Sequence, residues 1–307
     1  MKIKKISLYV FLFAALTFSF YFFNLNYVSL QDARRKSLAY ENRKYAWIGL
    51  TEKLLNEIKQ FKGEAGVVIK DLETGWEFSY GQESLFPSAS LAKIPVMSAC
   101  FLAARDGKIR LKRSVTLKSY DKLTGSGMLK DMHAGISFTL EELIGLMIYD
   151  SDNTATGMIT NIMGIDYLNE AFKTLGLRDT NLSRKIADYH SRNKGIENFT
   201  TAKDTAYILE NIYRKTLIDK GVSEKCLSLL KLCRTNDRIP RYLPAELAVA
   251  HKTGLERGVC HDAGIVYTPK GDFLICVLTK HANPDSVLAK EFIAKLALYT
   301  YTYFAQL

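Results

Sequence analysis

The chain has 307 residues, 48% of them apolar, which excludes a disordered or fibrous protein and is enough for one large buried core or two small ones. The formal charge of +10 is concentrated at the start, where residues 1–46 carry eight lysines and arginines against Asp32 and Glu41, and the rest of the chain is near balance. No basic helix with interleaved aromatics is present, so the charge does not point to a nucleic-acid partner.

Lys2, Lys4 and Lys5 are followed by Ile6 to Phe23, eighteen residues with nothing more polar than Ser, Thr and Tyr. Such a run beside an N-terminal positive cluster reads as a secretion or anchoring segment. It is longer than the usual signal core of about 7–15 residues. It ends in Asn24-Leu25-Asn26-Tyr27 without a small-x-small cleavage site, and no Leu-x-x-Cys lipidation box is present. Residues 1–24 are therefore expected to be an uncleaved membrane anchor, with a cleaved signal as the alternative, and residues 25–46 a basic linker. The three leading lysines favour a cytoplasmic N-terminus and an extracytoplasmic or periplasmic remainder; Arg34-Arg35-Lys36 opposes this from further along.

From Trp47 to Phe61 the apolar spacing predicts a helix, with Ile48, Leu50, Leu54, Leu55 and Ile58 on one side. Ala65–Leu72 and Trp76–Tyr80 read as strands joined by Glu73-Thr74-Gly75. A helical block runs from Ser90 to about Pro244, with helices predicted over 91–105, 140–149, 153–162, 165–175, 202–214 and 223–232. Strands return over 247–253, 263–267 and 273–278, and a final helix over 285–304. This order predicts a mixed α/β (α+β) fold. A five-stranded antiparallel sheet is flanked by terminal helices, and an all-helical lobe, about 90–244, is inserted into it. Because the strands come from both ends of the sequence, residues 47–307 are expected to form one domain of two lobes, with a functional site between them. Five cysteines leave at least one unpaired. Cys226 and Cys233 are too far apart on a helix to bridge, and Cys100 and Cys276 lie among apolar neighbours as buried thiols. No Cys/His pair has zinc-ligand spacing, and neither a metal nor a cofactor is expected.

Three short strings carry the chemistry: Ser90-Leu91-Ala92-Lys93, Ser151-Asp152-Asn153 and Lys252-Thr253-Gly254. Ser-x-x-Lys alone is close to noise, since it recurs at Ser119, Ser191 and Ser228. Only Ser90 stands where a loop enters an apolar helix, which puts it at a helix start with Lys93 one turn on along the same face. A serine hydroxyl needs a neighbouring base, and a buried lysine beside a second cation can act as one near neutral pH. Lys93 is that candidate base and Lys252 that cation.

In this order the three strings resemble the motif set of class A β-lactamases and penicillin-binding proteins. The gaps of 61 and 101 residues between Ser90, Ser151 and Lys252 agree with the class A branch, as do Leu146-Met147-Ile148-Tyr149-Asp150, Thr154-Ala155-Thr156 and His251. The resemblance covers about residues 47–307 and implies a β-lactamase/DD-peptidase-like fold. It gives Ser90 the role of nucleophile and Ser151 that of proton relay to the leaving nitrogen. Asn153 would bind the substrate amide and Lys252, Thr253 and Gly254 would bind its carboxylate. The backbone N–H groups of Ser90 and Leu255 would form the oxyanion hole. Asp152 would serve structurally, accepting from nearby backbone N–H groups.

The resemblance fails at one place. Class A enzymes activate the hydrolytic water with a glutamate in a pattern like Arg-x-Glu-x-x-Leu-Asn, and the matching stretch here is Thr180 to His190. Arg184 fits its arginine, which puts Ile186 at the glutamate and His190 at the asparagine. Asp188 and Glu197 are the remaining candidates for a deacylation base. The expectation is a monomeric serine acyl hydrolase acting on D-Ala-D-Ala cell-wall peptides or β-lactams and releasing β-lactams slowly. The alternatives are an efficient β-lactamase using Asp188 or Glu197, a non-hydrolytic penicillin sensor, and a non-catalytic scaffold. A sensor is disfavoured because only about five residues precede the apolar segment.

Overall fold

The computed structural model describes the backbone of residues 2–283 and 285–307, and the side chains of these except residues 2–12, 14 and 15. Helix α1 runs Lys2–Gln60, so the helix expected from Trp47 is the end of a longer one. The chain divides into two compact units, residues 1–52 and 53–307. In the first, apolar side chains including Phe13, Phe18, Phe20, Phe23 and Leu30 are exposed. Much of the segment 6–23 lies outside the described side chains. Among the described residues no helix is long and apolar enough to cross a membrane.

In the second unit, β1 (Glu64–Asp71) and β2 (Glu77–Tyr80) form the expected hairpin. The turn closes by Gly75 N–H donating to Asp71 O at 2.8 Å, and Gly75 takes φ +79°, a conformation open to glycine. The chain then passes through β3 (Phe86–Pro87) and a 3₁₀ turn, Ala89–Ala92, into α2 (Lys93–Arg105). Next come β4 (Ser114–Thr116), β5 (Ser137–Thr139), α3 (Leu140–Tyr149), α4 (Asn153–Met163), α5 (Ile165–Thr174) and α6 (Tyr189–Asn193). After these follow β6 (Phe199–Thr200), α7 (Ala202–Tyr213), α8 (Lys220–Leu230), β7 (Val249–Glu256), β8 (Val259–Val266), β9 (Phe273–Lys280) and α9 (Val287–Gln306).

The five long strands form one antiparallel sheet in the order β2-β1-β9-β8-β7, which brings the first hairpin against the last strand. Both β8 and β9 are buried at nearly every position, because helices cover both faces, and they read as continuous rather than alternating apolar runs. The inserted lobe is built around α2, whose residues Lys93–Ala103 are all buried. Capping explains where its helices start. Thr139 and Glu142 form a reciprocal capping box on α3, and Asp152, Thr201 and Asp219 accept from backbone N–H groups at the starts of α4, α7 and α8.

Three details differ from the sequence reading. The block is not wholly helical: β4 pairs with β5, and β3 with β6, in ribbons of two or three residues, too short for a period-2 pattern to register. Helix α6 interrupts the expected loop. Ser90 lies within the 3₁₀ turn, with α2 starting only at Lys93.

Gly264 on β8 admits no side chain, since a Cβ there would come within 2.4 Å of both the Ala250 carbonyl oxygen and His251 Cβ. Gly264→Ala is expected to reduce unfolding free energy by about 2 kcal/mol, an overpacking cost, in a denaturant titration.

Candidate functional site

Lys93 is fully buried and donates from Nζ to Ser151 O (2.7 Å) and Asn153 Oδ1 (2.9 Å), with Ser151 Oγ at 3.1 Å. Lys252, also fully buried, reaches the same Ser151 Oγ at 3.0 Å and Thr253 O at 2.9 Å. Five residues named from sequence thus meet: Lys93, Ser151, Asn153, Lys252 and Thr253.

Ser90 is half-buried, three residues before Lys93 in the turn that opens α2. Ala89 before it has φ +43°, an uncommon conformation for a side-chain-bearing residue. The turn is pinned on both sides. Ser88 N–H donates to Asn198 O at 2.8 Å, and Gly254 of β7 lies alongside, where a Cβ would meet His261 at 3.2 Å and touch Ala89 Cβ at 3.4 Å. His261 lies under it. Thr279 N–H donates to His261 Nδ1 at 3.0 Å, so the imidazole carries its proton on Nε2, which donates to Pro87 O at 2.8 Å. Burial pushes His261 down to about 4, which keeps that neutral form. Leu255 follows Gly254 on β7, an edge strand, so alternate N–H groups there face away from the ladder.

Ser151 takes φ +52° between α3 and α4, and this left-handed step turns its hydroxyl between the two ammonium groups. Asp152 holds the step. Its buried carboxylate accepts from Ala155 N (2.8 Å) and Leu129 N (2.8 Å), and Gly127 packs so closely that a Cβ would lie 2.2 Å from the carboxylate. Asn153 donates from Nδ2 to Thr124 O at 3.0 Å, which leaves its amide oxygen for Lys93.

Burial, reinforced by the charge of Lys252, holds Lys93 well below the usual lysine range, against the weaker pull of Asp152 and Glu256. Lys252 is lowered to about 8 by burial, with Cys233 and Asp262 acting in the opposite sense. Behind it, His251 Nδ1 lies 2.9 Å from Asp262 Oδ1, and that carboxylate overcomes burial to raise His251 to about 10. All five cysteines are buried and free.

The loop after α5 is built differently from the site. Arg184, 4% exposed, donates to Glu197 (2.6 and 3.1 Å), and Arg192 donates to the same carboxylate at 2.8 Å. Glu256, at the end of β7, lies 3.4 Å from Arg184 and 3.2 Å from Arg192. Glu197 therefore sits at the loop neck between two guanidinium groups. Asp188 caps α6, accepting from Ser191 N (3.0 Å) and Ser191 Oγ (2.6 Å), and these bonds hold its carboxyl below the usual range. Ile186 is buried in the apolar core and His190 is exposed.

Sequence reasoning did not single out Glu256, which no local pattern marks, or Tyr189. A Cβ on Gly125 would lie 2.6 Å from Asn153 Nδ2 and 3.6 Å from Tyr189 Oη, so this exposed tyrosine borders the Asn153 amide. Its place beside Asp188 on α6 was the only available signal.

Asp152→Ala removes one carboxylate from two buried backbone donors and is expected to cost about 3 kcal/mol of stability in urea denaturation. Asp152→Asn, which keeps one acceptor oxygen, should lose less.

The family model of the β-lactamase enzyme family matches residues 49–304. A solved β-lactamase from Sphaerobacter thermophilus shares 29% identity with a TM-score of 0.76, over 85% of this chain and 98% of that one. The structure of PBP-A shares 26% identity with a TM-score of 0.76, over 84% of this chain and 97% of that one, and a PBP-A mutant has been solved as an acyl-enzyme with penicillin G. The β-lactamase VEB-1 of Pseudomonas aeruginosa is 22% identical over 83% of this chain and 90% of its own length. With its match running from the end of α1 nearly to the end of α9, the chain belongs to the β-lactamase enzyme family, as a class A β-lactamase-like serine hydrolase.

Proposed function

We propose that the protein forms an acyl-enzyme on Ser90 with D-Ala-D-Ala peptides or β-lactams and releases β-lactam acyl groups slowly. The observation that carries this is the meeting of Lys93 Nζ, from the residue three positions after Ser90, and Lys252 Nζ at Ser151 Oγ. The proton of Ser90 Oγ passes to Lys93 as Oγ bonds to the substrate carbonyl carbon. The carbonyl oxygen gains charge facing the N–H groups of Ser90 and Leu255. As the C–N bond breaks, the leaving nitrogen takes a proton through Ser151. Asn153 binds the substrate amide, and Lys252 with Thr253 and Gly254 binds the carboxylate.

Slow deacylation follows from the loop. A carboxylate acting as general base must be uncommitted and within hydrogen-bond reach of the water. Ile186 offers none, Asp188 is engaged by Ser191, and Glu197 by Arg184 and Arg192. The efficient β-lactamase reading needs one of these carboxylates released. The lysine network and the buried Asp152 cap, both fully assembled, disfavour a non-catalytic scaffold. The exposed aromatic and aliphatic side chains among residues 13–30 support a tether at the cytoplasmic membrane, and Lys2, Lys4 and Lys5 before them favour a catalytic unit on the outer side.

Intact-mass measurement after exposure to penicillin tests the first step. A stable adduct is expected in the native chain and none in Ser90→Ala; rapid turnover without an adduct would overturn slow deacylation. Ile186→Glu should speed release of the adduct about a hundredfold, the low end for a positioned base, while lowering the melting temperature because an unpaired carboxylate is buried. The acylation rate should be bell-shaped in pH. It rises as Lys93 loses its proton, which its lowered pKa allows well below 10.5, and it falls above about 8 as Lys252 loses its charge. In stopped-flow acylation across the pH range, a rate still climbing at high alkalinity would overturn the need for a charged Lys252, and a rate that does not rise with pH below about 8 would remove Lys93 as the base.

A further inference from the structure

Behind Lys252 lies a group of ionisable side chains that the acylation chemistry does not use. His251, the residue before it on β7, is buried, and its Nδ1 meets Asp262 Oδ1 of β8 at 2.9 Å. Gly264, opposite His251 in the ladder, leaves it room, since a Cβ there would come within 2.4 Å of His251 Cβ. Asp262 is fully buried, and its other oxygen accepts from Ile239 N at 3.0 Å. The Cys233 thiol, buried just beyond the end of α8, hydrogen-bonds to the same imidazole. One buried ring is thus held between a sulfur and a carboxylate, at the strand position next to Lys252.

Two acceptors on one imidazole decide where its protons go. A ring that donates to both is an imidazolium, and the sulfur that accepts from it is a thiolate. Burial opposes a charge on His251, but Asp262 and then Cys233 outweigh it. Burial likewise pushes the Cys233 thiol up, but the bond to His251 and the charges of His251 and Lys252 outweigh it and hold the thiol below its usual range. Thiolate, imidazolium and carboxylate together carry one net negative charge. The other ionisable groups around Lys252 are Lys93 of α2, which shares Ser151 Oγ with it, and Arg238, which precedes the 3₁₀ turn Ile239–Tyr242 and opposes a charge on Lys252. Arg238 turns its Nε to Cys260 Sγ at 3.1 Å. Two cations therefore press on Lys252, and a single net negative charge stands against them.

We propose that Cys233 is a positioning residue that acts through Lys252: as a thiolate paired with the His251 imidazolium, it completes the buried negative charge that keeps the Lys252 ammonium charged. Its bearing on acylation rests on the reading that Lys252 must be charged to bind the substrate carboxylate.

The test reads Lys252 directly in the full chain. With lysine isotope-labelled at Cε, the Lys252 resonance is assigned by its loss in Lys252→Arg and followed by NMR through its titration. In Cys233→Ser, which keeps the shape of the side chain but not its charge, the acid constant of Lys252 should rise about tenfold, the low end for one neighbouring charge. In Cys233→Asp, which restores the charge, it should return towards the native value. In stopped-flow acylation the alkaline limb should move to lower pH in Cys233→Ser and back in Cys233→Asp, whereas a purely structural role would lower the rate evenly at every pH. A Lys252 midpoint unmoved in folded Cys233→Ser, or displaced equally in Cys233→Asp, overturns the proposal. A midpoint that moves while the acylation profile does not upholds the role of Cys233 and overturns instead the need for a charged Lys252. The native chain supplies a reading that needs no variant to fold. Burial raises the thiols of Cys100, Cys226, Cys260 and Cys276, so ultraviolet thiolate absorbance that forms below about 8.5, the ordinary thiol value, belongs to Cys233. Absence of that absorbance overturns the proposal as well.

Discussion

Two lysine ammonium groups brought to one serine hydroxyl, inside a site with no exposure at either lysine, is the constraint on which the functional architecture rests. Removing two like charges from water is costly, and the fold answers with acceptors rather than with a paired carboxylate. Lys93 finds two carbonyl oxygens, Ser151 O and Asn153 Oδ1, and Lys252 finds Thr253 O. A neutral Lys93 suits this arrangement, since its two N–H bonds match two carbonyls and its lone pair remains for a hydroxyl proton. The same burial that makes the arrangement expensive is what gives a lysine basic character near neutral pH.

The backbone is shaped to serve that point. Ala89 and Ser151 both take positive φ, one directly before Ser90 and the other at the shared hydroxyl. Each is held from another part of the chain: Asn198, through its bond from Ser88, on the first, and Asp152 with the close approach of Gly127 on the second. Glycine at 127 and 254 is thus a matter of clearance beside the site. The sheet contributes a second layer, in which Asp262 binds His251 and opposes the loss of charge from neighbouring Lys252.

The loop after α5 shows an opposite use of charge. Arg184, Arg192, Glu197 and Glu256 neutralise one another at its neck and tie it to the end of β7. Ile186 turns inward to the core, and Asp188 starts α6. The few carboxylates of this loop are thus spent on holding it together.

The order of strands and helices was legible in the sequence because the long elements bury one or both faces and show it in their apolar spacing. Hence α3 runs over the span its pattern predicts, and the sheet strands fall within a few residues of theirs. The three motifs were legible too, since their chemistry depends on residue type and order. The ribbons β3–β6 and β4–β5 were not, being two or three residues long and held by pairing partners far along the chain. Nor was the commitment of the loop carboxylates, because a carboxylate's freedom to act depends on which cations fold against it. The sequence by itself determined which groups were available: two serine hydroxyls, two amines and no glutamate at 186. Only the tertiary structure decided that both amines meet at Ser151 and that Glu197 is spent on Arg184 and Arg192, since these are contacts between segments tens of residues apart or across a loop neck.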